Sequence, residues 1–237
     1  MPRTQPAPSP RNGTPFVIPA HPGVTIRPLR ESSATFRIHG LAPYMQCRFS
    51  QKAIAKIQET HRQGSQARSK RVREARDFDE DYRQAMHLFA DGTCGIPCAA
   101  FRNALISTCR LVGFKMTIAK LSVFIVADGL DVVDGTPLVR IEGTPEQSIL
   151  PVRNATGVID LRVRPLWREW AANLTIRYDE EQFSTQDVTN LLIRAGRQVG
   201  VGEGRPDSRD SNGIEYGLFQ VAIEREGDDD GDTDDDT

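Results

Sequence analysis

This chain is short of the residues from which most catalytic and metal sites are built. It has four histidines and four cysteines in 237 residues. None of His21, His39, His61 and His87 falls in a recognised catalytic or metal-binding spacing. Walker A, H-E-x-x-H and G-x-S-x-G patterns are missing, which argues against nucleotide hydrolysis, zinc proteolysis and serine-hydrolase chemistry. Cys47, Cys94, Cys98 and Cys109 form no repeated C-x-x-C and have no matching histidine pair. Zinc is therefore not expected, and Cys98 and Cys109 read as small buried side chains of one helix face. No metal and no cofactor are expected. No apolar run reaches the roughly 18 residues of a membrane span. With no signal-peptide pattern and few cysteines, the expectation is a soluble protein of a reducing cytoplasm.

What is present is charge, unevenly placed. The net charge of the whole chain is −2, but residues 226–237 (EGDDDGDTDDDT) carry eight acids and no base, so the remainder stands at +6. A basic body beside an acidic tail suits polyanionic partners. The tail lacks the ligand spacing of an EF-hand and is expected to be disordered. Residues 1–23 contain seven prolines and almost no periodicity, the composition of an extended arm. The folded body is expected over 24–225. Within it, 61–77 (HRQGSQARSKRVREARD) holds six arginines or lysines and little apolar content, so it adds little to a core. Arg68, Lys70, Arg71 and Arg73 of this insertion are candidates for salt-sensitive phosphate contacts.

The body alternates between two periods. Val24–Ile26 and Ala34–Gly40 read as a first strand or hairpin, and 50–60 as a helix capped by Ser50. Pro97 opens a helix predicted to run through Val112, with Gly113 as its stop. Leu121–Ala127 (LSVFIVA) is predicted to be a buried strand, and Leu138–Glu142, Val158–Arg164 and Trp170–Tyr178 further strands. Ser184 and Asp187 have the spacing of a capping box for a helix over 185–197, and the final strand is expected over Tyr216–Glu224. The order contains the β-α-β-β-α-β plan of an α+β, ferredoxin-like or RRM-like antiparallel sheet with helical and strand insertions. One sheet face would be covered by helices and the other left free for a single strand.

Between the last helix and the last strand lies Val199–Phe219, VGVGEGRPDSRDSNGIEYGLF. Gly200, Gly202 and Gly204 permit positive φ and bring main-chain N–H groups close to a ligand, the arrangement of a phosphate cradle, with Arg205 and Arg209 beside them. Asp207, Asp210 and Glu215 in the same loop oppose phosphate. In Val158–Arg164, Arg162 and Arg164 share one side of the strand. Basic and aromatic residues also recur together, as in Arg37 and Arg48 near Tyr44 and Phe49, Arg162 and Arg164 near Trp167, and Arg177 beside Tyr178. Guanidiniums on phosphates with aromatics on bases would suit a single strand.

The glycine loop, following a helix and preceding the last strand of such a plan, resembles the G-loop of the RAMP superfamily of RNA-binding proteins, which includes CRISPR effector backbone subunits. The segment from Ile38 to Ala53 (IHGLAPYMQCRFSQKA) is similar to a G-x-A-P-L-x-x-x-R-F-S-x-K-A pattern of uncharacterised tailed-phage proteins. That similarity extends over most of 36–221. The first resemblance implies an RNA partner; the second implies phage origin, hence a host cytoplasm, without supplying an activity.

The leading expectation is a non-enzymatic RNA- or single-stranded-DNA-binding protein. Its contacts are placed on Arg68, Lys70, Arg71, Arg73, Arg162, Arg164, Gly200, Gly202, Gly204, Arg205 and Arg209. Two alternatives stay open: an assembly subunit, in which the basic segment and acidic tail pair between copies of a homo-oligomer, and a RAMP-type ribonuclease with His39 as general base.

Overall fold

The computed structural model describes residues 27–49, 51–63, 76–153, 157, 159–208 and 214–222. Its central element is a four-stranded sheet made of β1 (Glu31–Gly40), β4 (Val123–Ile125), β9 (Ala171–Asp179) and β10 (Phe219–Val221), in the order β10-β1-β9-β4. Every pairing is antiparallel. The register sets Ala34 opposite Ile176, Phe36 opposite Leu174 and Ile38 opposite Ala172. Because side chains alternate with a period of two, these residues share one face, and Thr35, Arg37, Asn173, Thr175 and Arg177 share the other.

The apolar face is covered by α3 (Cys98–Thr108) and α5 (Thr185–Arg194), whose Phe101, Leu105, Val188 and Leu192 join Ile38, Leu174, Ile176 and Phe219 in one buried cluster. Burying each of these large side chains is worth about 1.5–3 kcal/mol, so this interface is the main source of stability. α5 starts where Ser184 and Asp187 close a reciprocal capping box. α3 stops at Thr108, four residues before Val112, and the chain turns to Gly113 at φ +71°.

Two smaller antiparallel sheets flank this core. One joins β2 (Tyr44–Met45), β7 (Glu146–Arg153) and β8 (Ile159–Trp167) in the order β2-β8-β7. The other joins β3 (Gly95–Pro97), β5 (Gly129–Leu130) and β6 (Pro137–Arg140) in the order β3-β6-β5. Helices α1 (Gln51–Gln63), α2 (Phe78–Gln84) and α4 (Met116–Ser122) and a π-helical turn at Ala195–Val199 complete the described elements. The protein is thus α+β with antiparallel sheets.

The structure corrects several expectations. Leu121–Ala127 is not one buried strand. Leu121 belongs to α4 and is 79% exposed, and only Val123–Ile125 pairs with β9. Leu138–Glu142 becomes β6 and sits in a separate sheet. β7 was not read from the sequence at all. α1 runs on through His61 and Arg62 into the basic segment. All four cysteines are free, Cys98 and Cys109 are buried as expected, and burial pushes the Cys98 thiol up to about 11. The arm 1–23, the acidic tail 226–237 and the residues of the basic insertion beyond Gln63 and before Arg76 lie outside the described residues. No described helix is long and apolar enough to cross a membrane.

Candidate nucleic-acid interface

The site begins with how the glycine loop is seated. After α5 the chain passes through a single π-helical turn, Ala195–Val199, in which Gly196 lies directly on β10; a Cβ there would stand 2.3 Å from the Phe219 carbonyl oxygen. Such turns disturb the ordinary helical ladder and redirect the chain. The loop is then stitched to the segment 43–45 and to its own closing end. The Val201 N–H donates to the Gly217 carbonyl at 3.0 Å, Gly217 to Pro43 at 2.7 Å, Glu203 to Met45 at 2.9 Å and Tyr216 to Gly204 at 3.1 Å.

Gly202 therefore works differently from the cradle that the sequence suggests. Its φ is +82°, and a Cβ would lie 2.5 Å from the Met45 carbonyl oxygen and 2.6 Å from the Tyr44 ring. The absent side chain makes room for protein, not ligand. Gly217 is tighter still, with φ +71° and the Val201 carbonyl oxygen 1.7 Å from a notional Cβ. Among the described residues, the N–H groups of Gly202 and Gly204 have no hydrogen-bond partner.

The segment 40–48 is the platform for this loop, which gives its motif a structural meaning. Gly40 packs against Trp170, whose Nε1 donates to the Ala42 carbonyl at 2.9 Å. Tyr44 fills the space between Trp167 and Trp170, at ring distances of 5.4 and 5.6 Å. Burial pushes the Tyr44 phenol well above its ordinary range. Gln46 is buried; its amide nitrogen donates to the Gly95 carbonyl at 2.8 Å, and its oxygen accepts the His87 N–H at 2.9 Å.

Between the loop, β2, the β7–β8 hairpin and α3 opens a cleft of about 1150 Å³. Arg162 enters it from β8, Arg205 from the loop, and Asn103 and Ser107 from α3. Arg162 has no carboxylate partner among the described residues, and Arg205 is held only by its own loop, donating to the Gly202 carbonyl at 2.9 Å. Arg164 shares the Arg162 face of β8 and pairs with Glu203 at 2.5 Å; Arg110 pairs with Asp207 at 2.6 Å. Cys47, an exposed free thiol, also lines the cleft, and desolvation raises its pKa.

The structure thus gathers Arg162, Arg205, Gly202 and Gly204 around one cavity, while Arg164 reaches its edge only through its pair with Glu203. Gly200 lies at the loop's root, its φ of +73° following the π turn. Arg209, Arg68, Lys70, Arg71 and Arg73 fall outside the described residues. The expected aromatic platform is not present as drawn: Trp167, Trp170, Tyr44 and Tyr178 are all core residues, because the inward side of their strands is the packed side. The half-buried aromatic of the cleft is Tyr216, which covers Gly204. His39 lies on the open sheet face and does not line the cleft.

One constellation was not visible in the sequence. His87 Nδ1 lies 2.7 Å from Asp131 Oδ2, and Arg48 sits 3.6 Å from Asp131 and 3.5 Å from Asp134, with its side chain only 6% exposed. His87, Asp131 and Asp134 have donor atoms within 4.8 Å of one another, close enough for a divalent cation. The Arg48 guanidinium already supplies positive charge there, so the cluster reads as an internal ion network that fixes the 129–136 turn. His87 and Asp131 lie 44 residues apart, beyond the reach of any local motif.

No protein-family model matches this chain, and no curated protein matches it. Among solved structures, the chain is similar to the crystal structure of Cmr6 from Pyrococcus furiosus, at a TM-score of 0.40 and 11% identity, over 82% of this chain and 100% of that one.

Proposed function

We propose that this protein is a non-enzymatic binder of RNA or single-stranded DNA, with the strand's phosphates held in the cleft between the glycine loop and the β7–β8 hairpin. The observation that carries this reading is the pair Arg162 and Arg205, two guanidiniums lining one cavity with no carboxylate partner among the described residues. Charge left unneutralised in a concave site attracts polyanions more strongly than charge spread over a convex surface. The amides of Gly202 and Gly204, without a partner among the described residues, add donors of the kind that phosphate accepts. Arg68, Lys70, Arg71 and Arg73 would add sequence-independent attraction, and the acidic tail would compete with the strand for the basic body.

The fold supports the reading indirectly. We read the strand order β10-β1-β9-β4, with α3 and α5 between its strands, as a ferredoxin-like plan in which 41–97 and 126–170 would be insertions. In this reading the insertions, and not the sheet, build the binding surface. Fluorescence anisotropy with labelled single-stranded RNA and DNA at two salt concentrations tests it. Affinity should fall with salt by a log–log slope of about −0.7 for each phosphate contacted. Absence of binding at low salt would contradict the proposal.

A second reading, a subunit of a larger assembly, is favoured by one feature. The face of the hairpin opposite Arg162 carries Ile149, Leu161 and Ile159, exposed at 46%, 45% and 60%. Light scattering across a concentration series would reveal a self-associating chain.

A further inference from the structure

The glycine loop carries acids where a phosphate site would exclude them, and two of its three described acids, Glu203 and Asp207, line the cleft. Each is held by an arginine from a different part of the body. Arg164 on β8 donates through Nε to Glu203 at 2.5 Å, and Arg110, just beyond α3, donates through Nη2 to Asp207 at 2.6 Å. Arg164 is also fixed by a 3.0 Å bond to the Val163 carbonyl, and its side chain is only 14% exposed.

We propose that Glu203 and Asp207 stand in for two phosphates of a bound strand, so that Arg164 and Arg110 are phosphate subsites kept occupied until the strand arrives. The inference rests on the single-strand reading above. A carboxylate and a phosphodiester present comparable oxygens to a guanidinium fork, so one replaces the other without moving the arginine. The exchange asks little of the backbone. The Glu203 N–H remains bonded to Met45 at 2.9 Å, and only the side chain need turn toward water. Arg162 and Arg205, without a carboxylate partner among the described residues, receive the strand first. An isolated anion would then gain little by displacing one carboxylate, whereas a strand tethered at Arg162 and Arg205 presents its next phosphates at high effective concentration. The device favours polyanions over single phosphates and holds the largely buried Arg164 and the exposed Arg110 in place without leaving them unpaired.

The test is a double-mutant cycle read with a labelled oligouridylate strand, in the full chain. Glu203→Gln keeps a hydrogen-bond acceptor for Arg164 and removes the charge; Asp207→Asn does the same at the more exposed pair. Each should tighten binding about threefold, and the gain should vanish when the partner is also replaced, in Arg164→Ala or Arg110→Ala backgrounds. Circular dichroism melts confirm that each variant is folded, and the Asp207 arm stands alone if the Glu203 variant is not. A gain of equal size in the arginine-free backgrounds would show a general charge effect and overturn the proposal. Unchanged or weaker binding by folded single variants would overturn it too. If the original chain and both variants all fail to bind at low salt, the single-strand reading itself fails, which is a different outcome from either.

Discussion

The open face of the four-stranded sheet and the cleft beside the glycine loop have similar numbers of arginines and opposite electrostatics. On the sheet, Arg37 forms a two-pronged pair with Glu142 and reaches Asn173 at 3.3 Å, while Arg177 meets Glu31 at 2.7 Å and lies over Phe124 at 4.9 Å. Thr35 and Thr175 satisfy each other across the strands at 2.9 Å. That face is chemically complete. In the cleft, Arg162 and Arg205 have no acidic partner among the described residues. A fold plan indicates where a ligand sits in other proteins of similar topology; the local balance of charge indicates where this chain has capacity left. The comparison moves the expected interface from the sheet to its insertions.

The largest effect expected on breaking this arrangement is structural. Gly202→Val places a branched side chain at φ +82° against the Tyr44 ring and the Met45 carbonyl. It should cost about 3 kcal/mol or more, lowering the melting midpoint by about 6–12 °C, as calorimetry can show. A glycine acting chiefly as a ligand cradle would instead lose binding and leave the midpoint nearly unchanged. Replacing Arg162 and Arg205 together with alanine should weaken single-strand binding about tenfold and leave the midpoint in place, since neither makes an ion pair among the described residues. The quadruple alanine variant of Arg68, Lys70, Arg71 and Arg73 should reduce affinity about threefold and flatten its salt dependence, measured by anisotropy titrations. Smallest of all, Arg37→Ala and Arg177→Ala on the sheet should change affinity by less than about twofold and stability by about 0–1 kcal/mol, because exposed ion pairs contribute little.

What the sequence made legible was whatever is encoded locally. Alternation in Ala34–Gly40 and Trp170–Tyr178 marks the two central strands, and the Ser184–Asp187 spacing marks the start of α5, because a cap and a period of two are properties of neighbours in the chain. β7 escaped because Glu146–Arg153 (EQSILPVR) opens with polar residues and contains Pro151, which an edge strand tolerates and a central one does not. LSVFIVA misled because an unbroken apolar run has no period, so its first two residues could join a helix as readily as a strand.

For the site, the basic character of Arg162, Arg164 and Arg205 was readable, as was the loop between helix and strand. Which arginines remain free was not. Arg164 finds Glu203 at a separation of 39 residues and Arg110 finds Asp207 at 97, and such pairings are set by the tertiary fold. The role of the glycines was legible only in part. Positive φ was foreseeable, but whether the vacated space faces ligand or protein depends on Tyr44 and Met45, which lie far away in sequence.

Photo-crosslinking a single-stranded RNA that carries 4-thiouridine, followed by mass spectrometry of the linked peptides, tests the central claim most directly. The account predicts links to the loop around Gly202–Arg205 and Tyr216 and to the hairpin around Leu150 and Arg162. Links concentrated on His39, Phe124, Asn173 and Thr175 would place the strand on the open sheet face and contradict it.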